Sequence, residues 1–521
     1  MKLNPILAAD FYKVGHVAQI PATQINTYAN FTARSNRHAP VVDESGRQPA
    51  QVVVLGMSAT AQWFLKDLWD REFFQQPLDK VLAEYDEFMS TTIGPVDHSH
   101  VEKLWRLGRL PIVVKTLPEG TLVNMGVPFM TIQHTEPGYA WLAEYLESAI
   151  SAETWKVMTN ATLAFEFKRM MAYYYDLTGL PHSAMLFNAH DFSMRGLNGI
   201  HDAAANGIGH LASFQGSDTQ LAIAYARTYY DGNIPAGSIP ATEHSVTSSN
   251  ILYVERILAL TGAYGGKTIE EWDAEYKDED LRGLAEYITL KRLLTEVYPS
   301  GLVGYVADTF DFWRVVDRII PALRDVILAR TPDHTGMAKL VLRPDSGNPR
   351  DIVCGTETRP GVIQSLYRTF GGTTTPTGHF VLNERIGVIY GDSINFQNGA
   401  RILEDLAIQN FAACNIVFGL GSYFYNGNVT RDTFGMAIKA TSAEYSDLGH
   451  VALFKDPITD PGKKSARGLL RVDRGEDGEY VLHQFQTPDE EAGGELCVVF
   501  KDGVVTREDF SVIRERLEKL L

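Results

Sequence analysis

The chain has 521 residues, 45% of them hydrophobic and 21% charged, with a formal net charge of −17. That mixture suits a folded protein with enough core for two to four domains, or for one large α/β barrel with an appended domain, and it excludes disordered and fibrous classes. The excess of 64 acidic over 47 basic side chains excludes a general nucleic-acid or anionic-membrane surface, so any anionic ligand must be held by a local cluster of cations.

In chain order, the amino terminus "MKLNPILAADFYKVGH" carries a short apolar patch broken by proline and no small-residue cleavage pattern. No apolar run elsewhere is long enough to span a bilayer, and the expected location is cytoplasmic. The first third mixes strand-like and helical periods. "GTLVNMGVPFMTIQ" reads as paired strands and "SAETWKVMTNATLAFEFKRMMAYYYDL" as a long helix.

From about Met185 to Arg431 the rhythm changes. Apolar strand candidates are each followed by Gly, Asp, Ser or His and then by a helix candidate, the alternation of a parallel sheet or barrel. Within it, "LTGAYGGKTIEEWDAEYKDED" reads as an inserted or peripheral segment. The tail returns to short strands. In "LCVVFKDGVV" an Asp-Gly between β-branched runs predicts a hairpin, "EDFSVIRERLEKLL" predicts a closing helix, and this tail can fold back onto the first third. Cys354, Cys414 and Cys497 are far apart and odd in number, which suits a reducing compartment and offers no zinc-ligand spacing.

Six consecutive strand candidates end in polar or glycine-rich turns. They are "ASFQGSDT" with Asp218, "GSIPATEHS" with Ser238, Glu243 and His244, and "VGYVADTFD" with Asp308. "KLVLRPDSGN" follows with Arg343 and Asp345, then "IGVIYGDS" with Gly391 and Asp392, and "NIVFGLGS" with Gly419 and Gly421. In a β/α barrel all these ends open on one face, where loops build the active site. Carboxylates there suit a hydrated magnesium ion, and glycines let backbone N–H groups approach a phosphate. The combination points to a phosphorylated, metal-bound substrate. A second basic group, Arg431, Lys439, Lys455, Lys463, Lys464 and Arg467, would serve pyrophosphate or a second phosphate.

Taken together and in order, "DFYKVGH", "HDFSMRG", "GSDT", "PATEHS", "LRPDSGNP", "YGDS", "TRD" and "KDPITDPGKKS" resemble the nicotinamide phosphoribosyltransferase family over nearly the whole chain. The resemblance implies an irregular β/α barrel over residues 151–434, with a second α+β sheet domain built from residues 1–150 and 435–521. It implies a homodimer with shared active sites. The implied reaction joins nicotinamide to phosphoribosyl pyrophosphate (PRPP), giving nicotinamide mononucleotide and pyrophosphate, within NAD biosynthesis or salvage. Mg2+ would be the cofactor. ATP would be hydrolysed as a co-substrate through a phosphohistidine at His244, with Glu243 as its orienting partner.

Carried over by position, Phe192 would stack on one face of nicotinamide and Tyr12 of a second subunit on the other. The amide would meet Asp218, with Arg343 nearby. Asp345 and Asp308 would lie by the ribose and the metal, and Gly391, Asp392 and Gly421 near the 5-phosphate. Arg34, Arg195, Arg431, Lys439 and Lys463 would reach phosphate or pyrophosphate oxygens. Asp218 would select nicotinamide, since a carboxylate accepts an amide N–H but repels the carboxylate of nicotinic acid. Its other reading is a cap for a helix beginning at Thr219.

Two positions depart from the family pattern: Ser422 replaces a glycine in the turn after "NIVFG", and Ala437 stands where a serine is usual. Of the rivals, "GAYGGKT" has three residues between Gly262 and Gly266 where a P-loop needs four, and it follows a helix-like run. A nicotinate phosphoribosyltransferase would share the barrel chemistry, with Asp218 against it. A secreted signalling role finds no support in the sequence.

Overall fold

A computed structural model describes residues 3–43, 45–427, 429–455 and 465–521. The middle of the chain forms a parallel six-stranded sheet. Its order is Leu302–Val306, Lys339–Arg343, Ile386–Tyr390, Ile416–Gly421, Ala189–Phe192 and Gly216–Ser217. Segment 237–242 closes the two free edges. Gly237 bridges Gly216 and Ala241 bridges Gly304, and the Ser217 and Thr242 N–H groups donate to the Gly237 and Gly304 carbonyls, each at 3.0 Å. The result is an irregular β/α barrel whose last stave is too proline-interrupted to form a strand ("GSIPAT"), because proline cannot donate to a ladder.

The alternation of side chains explains why these runs form staves. Leu340 and Leu342 are fully buried in the core between sheet and surrounding helices, whereas Lys339 and Val341 share the opposite, inner face with Gly387. Ala189–Phe192, a stave missing from the six strand ends noted in the sequence, obeys the same rule. Ala189 joins the outer core, while His190 and Phe192 turn inward against Gly216 and against Gly391 and Gly419.

Both ends of the chain build a seven-stranded sheet, in the order Gly449–Ala452, Ala437–Tyr445, Gln24–Thr32, Pro128–His134, Ile112–Thr116, Cys497–Lys501 and Val504–Val505. Every pairing in it is antiparallel. The tail therefore does fold back onto the first third. Its hairpin turns at Asp502 and Gly503, both with positive φ, the two-residue turn that Asp-Gly favours.

The expected pairing within "GTLVNMGVPFMTIQ" is corrected. Leu122–Asn124 pairs with Gln51–Val53, while Pro128–His134 pairs with Gln24–Thr32 and Ile112–Thr116, whose Ala29, Phe31, Ile112 and Val114 are fully buried in the core beside Phe129 and Met130. The long helix is Leu142–Leu177, and it packs against both halves of the molecule, contributing Leu146 and Met158 to the sheet-side core and Phe167 and Met171 to the barrel-side core. The "GAYGGKT" stretch is a small hairpin, Ala263–Tyr264 with Lys267–Thr268, whose Lys267 pairs with Glu275. Among the described residues no helix is long and apolar enough to cross a membrane.

Candidate active site

The carboxyl ends of the staves converge as expected of a barrel mouth. Helix His244–Thr261 begins at the mouth, immediately after the closing segment, so its first residue faces the end of the next stave. There His244 Nε2 lies 3.0 Å from Asp308 Oδ1, with the histidine half exposed at 48% and the aspartate 5% exposed. Asp308 Oδ2 accepts from the Asp345 backbone N–H at 3.0 Å and from the Ser346 hydroxyl at 2.6 Å. One buried carboxylate thus fixes both the imidazole and the "PDSG" turn. The carboxylate of Glu243, expected to orient the ring, accepts from Ser245 Oγ two residues on, and it is Asp308 that meets the imidazole.

Asp345 is half-buried, and its carboxylate oxygens have no hydrogen-bond partner among the described residues. Beneath it, the fully buried Tyr390 donates to the Gly347 carbonyl at 2.9 Å. Burial pushes the Tyr390 hydroxyl well up, and the nearby Asp392, Asp345 and Asp308 charges add to the effect. Asp392 accepts from Ser393 Oγ at 2.9 Å, and Ser393 itself has φ of 58°. A non-glycine residue in the left-handed region is costly, and such strain gathers at functional sites. Arg343 ends its stave with a buried Nε that has no partner among the described residues, a donor set that fits an anion or a carbonyl.

Phe192 is half-buried on the neighbouring side of the mouth. Its ring lies over two glycines: a Cβ on Gly391 would sit 2.8 Å from Phe192 Cδ2, and one on Gly419 would sit 2.6 Å from Cε2. These glycines make room for the aromatic ring. Only Gly421 of the three candidate phosphate-turn glycines has open space where its Cβ would be. On the adjoining stave Asp218 is exposed and accepts from Ser238 Oγ. It does not cap the following helix Gln220–Tyr229: the N-cap position is Thr219, and no side chain caps there. Arg195 is exposed on the turn after Phe192, and Ser422 packs its hydroxyl against Gly196 of that turn.

A second group lies on the antiparallel sheet, around a 460 Å³ cavity lined by Asn30, Arg34, Arg37, Ala437, Lys439 and Lys455 among others. Thr32, opposite Ala437 in the ladder, brings a hydroxyl into the same cavity. Arg34 Nε donates to the Gly435 carbonyl at 2.7 Å, and burial and then the adjacent Arg431 lower its pKa. Arg431 pairs at 3.3 Å with Asp432, and Lys439 lies 4.0 Å from Glu147, which Lys13 already holds at 2.7 Å. Lys463 and Lys464 fall outside the described residues. Tyr12 is 65% exposed, beside His16 and Lys13. Arg34, Arg431 and Lys439 make no ion pair with Asp308, Asp345 or Asp392 among the described residues.

Among the described residues there is no cluster of three or more His, Cys, Asp or Glu poised to hold a metal. Magnesium needs only one or two protein carboxylates beside substrate phosphates. Asp345 fits that need, whereas both Asp308 oxygens are engaged. The sequence reading missed Tyr390, Ser346 and the buried His190, Asp191 and His210; the "HDF" and "YGDS" strings were the available signals.

A family model described as the nicotinate phosphoribosyltransferase (NAPRTase) family matches residues 187–504. The chain is 43% identical over 532 residues to the nicotinamide phosphoribosyltransferase of Acinetobacter baylyi, covering 100% of this chain and 98% of that one. It is 32% identical to the protein of the same name from Xanthomonas campestris pv. campestris, covering 97% and 96%. In fold it is similar to a nicotinate-nucleotide pyrophosphorylase from Pyrococcus furiosus, with a TM-score of 0.53 at 13% identity, covering 99% of this chain and 95% of that one. Human nicotinic acid phosphoribosyltransferase gives the same TM-score of 0.53 at 15% identity, with 98% and 93% covered. With a relative named nicotinamide phosphoribosyltransferase 43% identical over the whole chain, the protein is a pyridine phosphoribosyltransferase built on a β/α barrel. The chain belongs to the nicotinate phosphoribosyltransferase family.

Proposed function

We propose that this chain is a nicotinamide phosphoribosyltransferase, forming nicotinamide mononucleotide and pyrophosphate from nicotinamide and PRPP, with each site completed by a second copy of the chain. The observation that carries the choice of nicotinamide is Asp218. It is an exposed carboxylate on the stave beside Phe192, and its backbone N–H is fixed on the Asp191 carbonyl at 3.0 Å. Placed there it accepts the amide N–H of nicotinamide and repels nicotinic acid, a discrimination on the order of a few kcal/mol in a partly desolvated pocket.

The pyridine stacks on Phe192, and Tyr12 of the second copy covers its other face. Arg343, with its unpaired Nε, donates to the amide oxygen. The pyridine nitrogen forms its bond to ribose C1 as the bond from C1 to the pyrophosphate oxygen breaks, so positive charge develops on the sugar and negative charge on the leaving group. Asp345 faces the first. Arg34, Arg431 and Lys439 of the second copy face the other, while Gly421, Arg195 and the backbone at Asp392 hold the 5-phosphate. Magnesium, when bound beside Asp345, supplies charge neutralisation for the pyrophosphate. No enzyme nucleophile is required for the ribosyl transfer.

The His244–Asp308 pair supports a separate ATP step. Asp308 accepts from Nε2–H, which leaves the Nδ1 lone pair free. Nδ1 forms a bond to the γ-phosphorus of ATP as the bond to the bridging oxygen breaks and ADP leaves; water later returns the phosphoryl group as phosphate.

The test is product chromatography with PRPP and magnesium, comparing nicotinamide with nicotinic acid, each with and without ATP. Preferential formation of nicotinamide mononucleotide, increased by ATP, is expected. Preference for nicotinic acid would overturn the substrate, and the absence of any ATP effect would overturn the phosphohistidine.

A further inference from the structure

Below the mouth lies a buried polar group that none of the steps above uses. His210, 1% exposed on helix Ile200–Ser213, places Nε2 2.8 Å from the Gly216 carbonyl and Nδ1 2.6 Å from the Tyr425 hydroxyl. A carbonyl only accepts, so Nε2 carries the proton, and Nδ1 then accepts from the Tyr425 hydroxyl. Burial pulls His210 below the ordinary histidine range, in keeping with that neutral form.

The two partners belong to different parts of the mouth. Gly216 precedes Ser217 and Asp218, and it is pinned from the other side by the His190 ring, which leaves no room for a Cβ there. Tyr425 lies in the short helix Ser422–Asn426 that follows the open Gly421 turn. The helix carrying His210 is itself held firmly. Gly209 packs backbone to backbone on the long helix, with its Cβ position 2.7 Å from the Ala161 nitrogen, and Arg514 Nε donates to the Leu211 carbonyl at 2.7 Å. Groups positioned by a rigid element set a site more closely than loops do.

We propose that His210 and Tyr425 are a positioning pair that ties the nicotinamide side of the mouth to the phosphate side, each ring nitrogen of His210 setting one of them. The proposal rests on the nicotinamide reading above. Neither residue touches substrate; His210 acts through the Gly216–Asp218 turn and Tyr425 through the Gly421 turn.

The two bonds can be cut separately. In His210→Gln the amide reaches the Nε2 position and keeps the donor to Gly216, while the bond to Tyr425 is lost. In His210→Asn the amide oxygen reaches the Nδ1 position and keeps the Tyr425 hydroxyl, while the bond to Gly216 is lost. His210→Asn should raise the KM for nicotinamide by about fivefold or more, the scale of one lost buried hydrogen bond, and reduce preference over nicotinic acid. His210→Gln should raise the KM for PRPP by a similar factor and spare that for nicotinamide.

Tyr425→Phe removes only a hydroxyl and should repeat the glutamine pattern, which decides the matter if a histidine variant fails to fold. Lower Tm with both KM values at the wild-type level would make the pair merely structural and overturn the proposal. A joint rise of both KM values in all variants would overturn the division between the two sides. A wild-type chain inactive on nicotinamide would instead sink the functional reading, and this proposal with it.

Discussion

Gly419→Ala tests whether the inner glycines exist to seat Phe192. Gly419 lies in the stave Ile416–Gly421, and its φ is not positive, so alanine meets no backbone penalty there. The added Cβ would stand 2.6 Å from Phe192 Cε2 and 2.7 Å from Gly391 Cα. Carbon atoms pack at about 3.5 Å or more, so something must move by roughly 1 Å. Gly391 Cα is backbone of the adjacent stave, which leaves the Phe192 ring to move. Overpacking of this kind costs about 1–3 kcal/mol, visible as a modest fall in Tm. A 1 Å shift of a substrate-positioning group can cost about 100-fold, so kcat/KM for nicotinamide should fall far more than stability does. Steady-state kinetics in nicotinamide and differential scanning fluorimetry measure the two effects. Gly421→Ala, with open space at its Cβ, provides the folding comparison and should leave Tm unchanged. Wild-type kcat/KM in Gly419→Ala would refute the seating argument and remove Phe192 from the nicotinamide site.

Asp308→Asn should abolish most of the ATP stimulation, by about tenfold or more, because His244 loses the carboxylate that orients it; ADP release in a coupled assay unchanged from wild type would show the pair to be incidental. Asp218→Asn should narrow the preference for nicotinamide over nicotinic acid, read as the ratio of their kcat/KM values; an unchanged ratio would place selection elsewhere. His134 accepts the Ala143 N–H at 3.0 Å through Nε2, and burial lowers its pKa from 6.5 to about 3. The unfolded chain takes up the proton first, so this stabilisation is complete above the unfolded value and is lost as pH falls from 6.5 towards 3; between about pH 7 and about pH 5 the wild type should lose about 2 kcal/mol more than His134→Gln in urea melts. Coexpression of Phe192→Ala with Arg34→Ala, each inactive alone, should restore about one quarter of the wild-type sites, since half the dimers are mixed and half of their sites are intact; no recovery would mean that both residues serve the same subunit's site.

What the sequence made legible follows from periodicity. Runs such as "KLVLR" alternate outward leucines with inward lysine, valine and arginine, and the polar turn after each run marks the same end of the barrel. The turn chemistry of "KDG" was equally readable, because Asp502 and Gly503 need a backbone that few residues adopt. Long-range choices were hidden. His244 and Asp308 are 64 residues apart, and sequence proximity favoured Glu243 where burial favours Asp308. The stave Ala189–Phe192 hides two polar residues, His190 and Asp191, inside a four-residue strand, so no apolar run announced it. Segment 237–242 closes the barrel through a few backbone bonds around Pro240, with none of the alternation by which strands are recognised.

The charge distribution supports the proposal that each site is built from two copies of the chain. The mouth gathers Asp218, Asp308, Asp345 and Asp392 against Arg195 and Arg343, a balance that suits the cationic sugar of the transition state but opposes a pyrophosphate. The sheet cavity has the opposite bias, with Arg34, Arg37, Lys439 and Lys455 around it against the single carboxylate Asp432, and with Arg431 close enough to depress the basicity of Arg34. In a chain of net charge −17, such crowding of cations costs stability, and an anion bound among them offsets that cost. The reaction itself separates positive charge on the ribose from negative charge on the leaving group. Two surfaces of opposite sign are therefore the better complement to it than one mixed surface, whose side chains would neutralise each other before substrate arrived. Arg34, Arg431 and Lys439 make no ion pair with the mouth aspartates among the described residues, so in the proposed dimer both fields would stay intact until a second copy brought them face to face across PRPP.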